Sequence, residues 1–233
     1  MRTKFALILS LLSISLFAFG QDTPIQSHAY PIVRVPPTRG HAASTAPFDK
    51  GLITIFNTFA TAYPKGTYLC CDLSYVQGPQ FDPKEPEIWV AVPFIPNANH
   101  TVNRIVVAAS LFKGTNKLVA GFYDDDGGVP GTLLKSWSIT DLPPVGSCCV
   151  VETINDDAGV PVAGGKQYWV ALGTDASDAD THAAWNSNDT DIVDAKPVAV
   201  YCKSGVNPQC GDNEGWRAYT SPLQPALAVL GKQ

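Results

Sequence analysis

The sequence has few charged residues and does not gather its positive charges into a patch. Its 233 residues include 16 Lys and Arg against 21 Asp and Glu, a formal net charge of -5. A nucleic-acid-binding protein presents a basic stripe to the phosphate backbone. The scattered charges therefore predict that nucleic acid is not a partner.

Catalytic signatures are also missing from the sequence. It contains neither the Gly-x-Ser-x-Gly turn of a serine hydrolase nor the His-Glu-x-x-His helix of a zinc peptidase. Only His100 and His182 lie in the part of the chain that we expect to fold, and neither is adjacent to a Ser or Cys. A glycosidase needs only two well-separated carboxylates, so a secreted hydrolase remains the alternative to our expectation of a non-enzyme.

Sustained helical periodicity does not occur, and short β-rich runs separated by Gly, Pro, Asn and Asp fill the chain beyond Gly51. Ile88, Val90, Val92 and Phe94 repeat every second residue, which is the period of a half-buried strand. The other predicted strands are 103–112, 117–123, 133–139, 149–154, 167–173, 183–186, 197–202, 216–219 and 226–230. The pattern predicts one all-β domain over residues 51–231, an antiparallel β-sandwich of jelly-roll-like form.

The N-terminal residues have the order of an export signal. Arg2 and Lys4 precede an apolar run too short to span a membrane comfortably, and small residues follow it at Ala18 and Gly20. We predict a signal peptide over residues 1–20, a Pro-rich extended tail over residues 21–50, and a secreted or periplasmic protein. The C-terminus has no apolar tail, so we expect no membrane anchor.

Six cysteines in an exported chain predict disulfides. They occur as two adjacent pairs and one local pair: Cys70 and Cys71, Cys148 and Cys149, Cys202 and Cys210. We predict two bridges between the adjacent pairs, with their exact pairing open, and one local bridge. The alternative, a zinc or copper site, lacks ordered His partners.

Several motifs resemble the choice-of-anchor domain group of secreted bacterial proteins, in particular its R type. These are Trp-x-Ala-x-Pro-Phe-x-Pro at 89–96, the Gly-Phe-Tyr-Asp-Asp-Asp-Gly-Gly-Val-Pro-Gly run at 121–131, Ala-Gly-Gly-Lys-Gln-Tyr-Trp-Val at 163–170, Ala-Trp-Asn at 184–186 and Ala-Val-Leu-Gly at 228–231. The resemblance implies a jelly-roll sandwich without an established enzymatic role. The sorting tail of that group is missing here, which implies release rather than surface anchoring.

Two acidic segments could bind calcium. Asp124 and Asp126 place hard oxygen ligands on one turn, which suits that cation, but the last carboxylate of an EF-hand is missing. A plain solvated hairpin turn is the alternative. Asp175, Asp178 and Asp180 form a second such loop. We otherwise expect no cofactor.

The residues beside the five tryptophans separate them into predicted core and predicted surface positions. Trp89, Trp137 and Trp169 lie within apolar strand patterns and are predicted to be core residues. Trp185 and Trp216 stand beside polar loops and precede Asn186 and Arg217, an arrangement that stacks on sugars and hydrogen-bonds their hydroxyls. These four residues are our candidate site for an extracellular glycan or matrix component. Packing at one end of a structural domain is the alternative.

Three bridges predict that the mature protein has no free thiol and that reduction lowers its stability by several kcal/mol. Thiol titration of the denatured, non-reduced protein measures this directly. Two or more reactive thiols per chain would contradict the three-bridge assignment.

Overall fold

Strands form the regular structure of this computed structural model, which describes residues 38–41, 51–59, 67–81, 87–146, 151–188, 196–202, 215–221 and 224–233. No residue in these ranges is helical, so they hold no helix long and apolar enough to cross a membrane. In chain order the strands are β1 (Thr38–His41), β2 (Ile53–Asn57), β3 (Thr67–Gln77), β4 (Ile88–Phe94), β5 (His100–Val107), β6 (Ala109–Lys113), β7 (Lys117–Asp125), β8 (Pro130–Thr140), β9 (Glu152–Val162), β10 (Tyr168–Gly173), β11 (His182–Asn188), β12 (Lys196–Cys202), β13 (Gly215–Ser221) and β14 (Leu227–Lys232).

The strands form two antiparallel sheets. The larger has the order β6-β11-β3-β4-β10-β7-β8, with β1 beside β3 and the β12–β13 hairpin beside β4. The smaller has the order β2-β14-β5-β9. These sheets confirm the predicted all-β, antiparallel sandwich.

The main core lies between the two sheets. Alternate residues of β4, including Val90 and Phe94, meet Ile105 of β5 and Val229 of β14 in one buried cluster. Burying each such side chain stabilises the fold by about 1.5 to 3 kcal/mol. The alternating apolar residues that predicted β4 are therefore the ones that pack between the two sheets.

The faces turned away from this core are also covered in part. On the smaller sheet, Val106 and Leu230 join Phe59 and Tyr68 in a second buried cluster. On the larger sheet, a third cluster contains Trp169 and is described below. Central strands such as β10 are therefore buried on both faces.

The large sheet begins before Gly51, where the domain was predicted to start. Thr38–His41, within the predicted Pro-rich tail, pairs with β3, and the compact unit runs over Val33–Gln233. β11 occupies one edge of β3, so β1 supplies hydrogen-bond partners at its other edge. The predicted signal peptide at residues 1–20 lies outside the described residues.

The cysteines fall largely beyond what the structure describes. Cys70 and Cys71 lie on β3, Cys202 is the last residue of β12, and the other three lie outside the described residues. The predicted disulfides remain a prediction.

Trp185 tests the core between the sheets. It is fully buried and its indole Nε1 donates to the Ala226 carbonyl at 3.0 Å. We expect Trp185→Ala to lower the free energy of unfolding by about 3 to 5 kcal/mol, because it leaves a large cavity. Urea denaturation measures the change, with Trp137→Ala as the control at a partly buried indole. A loss for Trp185→Ala no larger than the control's would contradict this packing.

Candidate functional site

Small residues form a floor on the outer face of the large sheet. Ala171 of β10 pairs in register with Ala91 of β4 on one side and with Gly121 of β7 on the other. Ala199 of β12 lies beside Ala91. All four alternate along their strands with residues of the inter-sheet core, so they point away from it.

Aromatic rings lie directly on this floor. A Cβ atom added at Gly173 would collide with the indole ring of Trp89. A Cβ atom added at Gly121 would come within 2.5 Å of the Tyr123 ring. Glycine is therefore required at both positions, because only a bare backbone lets the rings approach so closely.

Trp216 of β13 lies at the centre of the ring contacts. Its ring centroid is 5.6 Å from that of Tyr201, 5.9 Å from that of Tyr123 and 6.5 Å from that of Trp89, each at a steep angle. It packs on the cluster of Ala91, Ala171 and Ala199 and is half-buried. We call Trp89, Tyr123, Trp169, Tyr201 and Trp216 the aromatic face.

Carboxylates fix two of the indoles. Trp89 Nε1 donates to Glu87 Oε1 at 2.8 Å, and Trp169 Nε1 donates to Asp125 Oδ1 at 2.8 Å. Gln167 Nε2 donates to the same oxygen of Asp125 at 2.6 Å. Burial raises the pKa of Asp125, but these hydrogen bonds and one from the Gly128 amide outweigh it and hold that pKa below its ordinary value.

The predicted calcium turn uses its carboxylates differently. Asp124 Oδ1 accepts a hydrogen bond from the Thr132 amide at 2.5 Å, and the Asp126 amide donates to the Val129 carbonyl at 2.9 Å. In the part of the chain that the structure describes, no three His, Cys, Asp or Glu side chains form a group that could hold a metal ion. Asp124 therefore caps the hairpin turn in this structure, and calcium binding at Asp124 and Asp126 stays a prediction.

The prediction that Trp185 and Trp216 share one surface is wrong. Trp185 belongs to the inter-sheet core, whereas Trp216 packs on the opposite face of the large sheet. Asn186 is also buried, and its Nδ2 donates to the Ala108 carbonyl at 3.0 Å and to Ser110 Oγ at 3.1 Å. The polar side chain of Asn186 therefore forms its hydrogen bonds inside the fold. Its polarity alone had indicated a surface position.

Arg217 is exposed but does not share a face with Trp216. Neighbouring strand residues point to opposite faces, and Arg217 pairs in register with Val200, which packs against the inter-sheet core. Sequence reasoning selected Trp216 and missed Trp89, Tyr123 and Tyr201. Their signal was the alternation of each ring with core residues, which places them on the outer face.

Two titratable groups with shifted pKa values, Asp178 and His182, lie away from the aromatic face. Asp178 is fully buried, and burial raises its pKa to about 6, with Asp175 nearby adding to the effect. Asp178 accepts a hydrogen bond from the Asp175 amide, while Asp175 pairs with Lys117 at 2.7 Å. These contacts close the acidic loop against the start of β7.

His182 lies among aromatic rings at another edge of the large sheet. Its ring centroid is 4.3 Å from that of Phe81, 4.8 Å from that of Phe112 and 5.2 Å from that of Tyr75. Burial and, secondly, Lys113 lower its pKa to about 4. The ring is therefore neutral at neutral pH.

Asp178 and His182 contribute oppositely to the pH dependence of stability. The raised Asp178 pKa adds stability that is lost as pH rises from 3.8 through about 6, and the lowered His182 pKa adds stability that is lost as pH falls from 6.5 through about 4. Removing the Asp178 contribution should make the free energy of unfolding of Asp178→Asn increase with pH across this window, relative to that of the native protein. Removing the His182 contribution should make that of His182→Phe decrease with pH by the same comparison. Urea unfolding at both ends of the window measures this. Variants with the native pH dependence would contradict the assignment.

Comparisons with known proteins do not assign this chain to a family. No family model and no curated protein matches the chain. One solved structure is similar, that of the cysteine protease and lectin-like domains of Cwp84, a surface layer associated protein of Clostridium difficile, at 11% identity and a TM-score of 0.42. The similarity covers 64% of this chain and 33% of that one, so this chain spans a third of its length. A likeness this low carries no functional information, and the choice-of-anchor resemblance remains a prediction.

Proposed function

We propose that this protein is a secreted, non-catalytic binding module that holds an extracellular glycan against its aromatic face. The observation that carries the proposal is the half-buried indole of Trp216, which rests on alanines and is surrounded by Trp89, Tyr123 and Tyr201. A sugar ring presents an apolar C–H surface that can lie flat on such rings and bury apolar area. Secretion rests on the predicted signal peptide.

Fixed ring positions support binding rather than simple packing. Glu87 orients the Trp89 indole, and the floor at Gly121 and Gly173 limits where the rings of Tyr123 and Trp89 can lie. A surface whose rings are already ordered loses little side-chain entropy when a ligand binds. The aromatic face is therefore suited to a shallow, weak and reversible interaction with a polysaccharide.

The carboxylates near this face support a non-catalytic role. Glu87 and Asp125 each accept a hydrogen bond from an indole, and Asp125 accepts two more. A glycosidase needs two carboxyl groups that reach the glycosidic oxygen and the anomeric carbon. Glu87 and Asp125 instead hold the indoles of the aromatic face in position.

Affinity electrophoresis through gels containing soluble polysaccharides tests the proposal. We expect the native protein to be retarded by at least one polysaccharide, and Trp216→Ala to weaken that binding about tenfold, because stacking and buried area are lost together. Trp216→Phe should retain part of the affinity. Tyr219→Ala is the matched control, since Tyr219 is exposed on the same strand and points to the opposite face.

Three results would overturn the proposal. Lack of retardation by any polysaccharide in the panel would favour the purely structural alternative. Equal affinity for the native protein and a folded Trp216→Ala variant would place the site elsewhere. Release of reducing sugars during incubation would favour the hydrolase.

A further inference from the structure

A polar cavity of about 270 Å³ opens on the outer side of the smaller sheet, away from the aromatic face. Arg104 of β5 points to that side, because its neighbour Ile105 belongs to the inter-sheet core. Leu52, just before β2, and Lys232, at the end of β14, line the cavity beside it. Its volume is below the 300 to 1,000 Å³ range of pockets for drug-sized ligands, so it suits one small ring.

An irregularity in the β5–β9 pairing builds one wall. Val102 pairs with Val160 and Arg104 with Asn155, so residues 156–159 bulge opposite Asn103. Asn103 Nδ2 donates to the Asp156 carbonyl at 3.0 Å and to the Asp157 carbonyl at 3.4 Å. These bonds fix the wall and place the Asp157 side chain at the cavity.

The bulge also buries an acceptor. Asn103 lines the cavity, is 8% exposed, and its Oδ1 has no hydrogen-bond partner among the described residues. A buried carbonyl oxygen without a partner costs about 1 to 3 kcal/mol, which a hydroxyl donor would offset. The unpartnered Asn103 oxygen therefore favours a ligand in this cavity. This argument does not depend on the charged residues.

Charged groups of both signs line the cavity. Arg104 is 5% exposed, and its Nε donates to Asn155 Oδ1 at 2.7 Å. Asp156 pairs with Lys135 at 2.5 Å, whereas Lys232 and Asp157 are exposed and form no ion pair with each other. The lining thus has two positive side chains, Arg104 and Lys232, and two negative ones, Asp156 and Asp157, of which Asp156 is already paired with Lys135.

We propose that this cavity binds a monosaccharide-sized sugar acid. The carboxylate of the sugar acid pairs with Lys232, beside the guanidinium of Arg104. The hydroxyls of the sugar acid donate to the Asp157 carboxylate and to the unpartnered amide oxygen of Asn103. A carboxylate matches the exposed ammonium group of Lys232, and hydroxyls match the acceptors. None of the residues that line the cavity is aromatic, so recognition here is by hydrogen bonds rather than stacking.

Titration calorimetry with glucuronate and galacturonate, each beside its neutral hexose, tests the proposal on the full chain. We expect one hexuronate to bind at least about tenfold more tightly than its hexose, because a hydrogen bond to a charged group is lost in the hexose. Lys232→Gln should weaken hexuronate binding about tenfold and remain folded, since Lys232 is exposed near the chain end. Lys166→Gln, at an exposed lysine elsewhere, should leave it unchanged.

The outcomes separate this site from the aromatic face. Trp216→Ala should leave hexuronate affinity unchanged, so loss of polysaccharide binding in that variant says nothing against the cavity. Failure of both hexuronates to bind would overturn the inference. Equal affinity for hexuronate and hexose, or equal effects of the two lysine substitutions, would overturn it as well.

Discussion

The structure depends on β10, which is buried along its whole length and hydrogen-bonded on both edges. It pairs with β4 on one side and β7 on the other. Its Val170 and Leu172 point into the inter-sheet core, while Trp169 and Ala171 point outward. Since side chains alternate strictly, the strand that anchors the sandwich also fixes the floor on which the outer rings rest.

That constraint explains why the aromatic face is both rigid and shallow. Alanine and glycine on adjacent strands leave room for one layer of rings, and Trp216 reaches this layer from the β12–β13 hairpin. The outer side of the smaller sheet differs, because the β9 bulge places polar groups around Arg104 instead. The two proposed sites therefore use different physics, stacking on one side and charge-assisted hydrogen bonds on the other.

The sequence predicted strands well wherever a period of two or an apolar run was present. β4 was predicted at its observed bounds, and the Gly-rich segment after Asp125 forms the expected tight turn into β8. β2 and β3 were missed, and β1 was hidden by surrounding prolines. The order of strands in a sheet depends on long-range pairing, which no local pattern carries.

The candidate site was predicted only in part. Trp216 was predicted at a binding surface and is half-buried on the outer face of the large sheet. Trp185 was assigned to the same surface because a polar residue follows it. Asn186 finds its partners inside the fold, so its polarity did not indicate exposure. Arg217 was paired with Trp216 by adjacency, although adjacent strand residues face opposite ways.

The proposed function requires that glycan bind at the outer face of the large sheet. The most direct measurement follows the five indole N–H resonances of ¹⁵N-labelled protein during titration with a polysaccharide fragment that it binds. We expect shifts for Trp216 and Trp89, whose rings are partly exposed, and none for Trp185 in the inter-sheet core. Shifts confined to Trp137, or binding that moves no indole resonance, would contradict it.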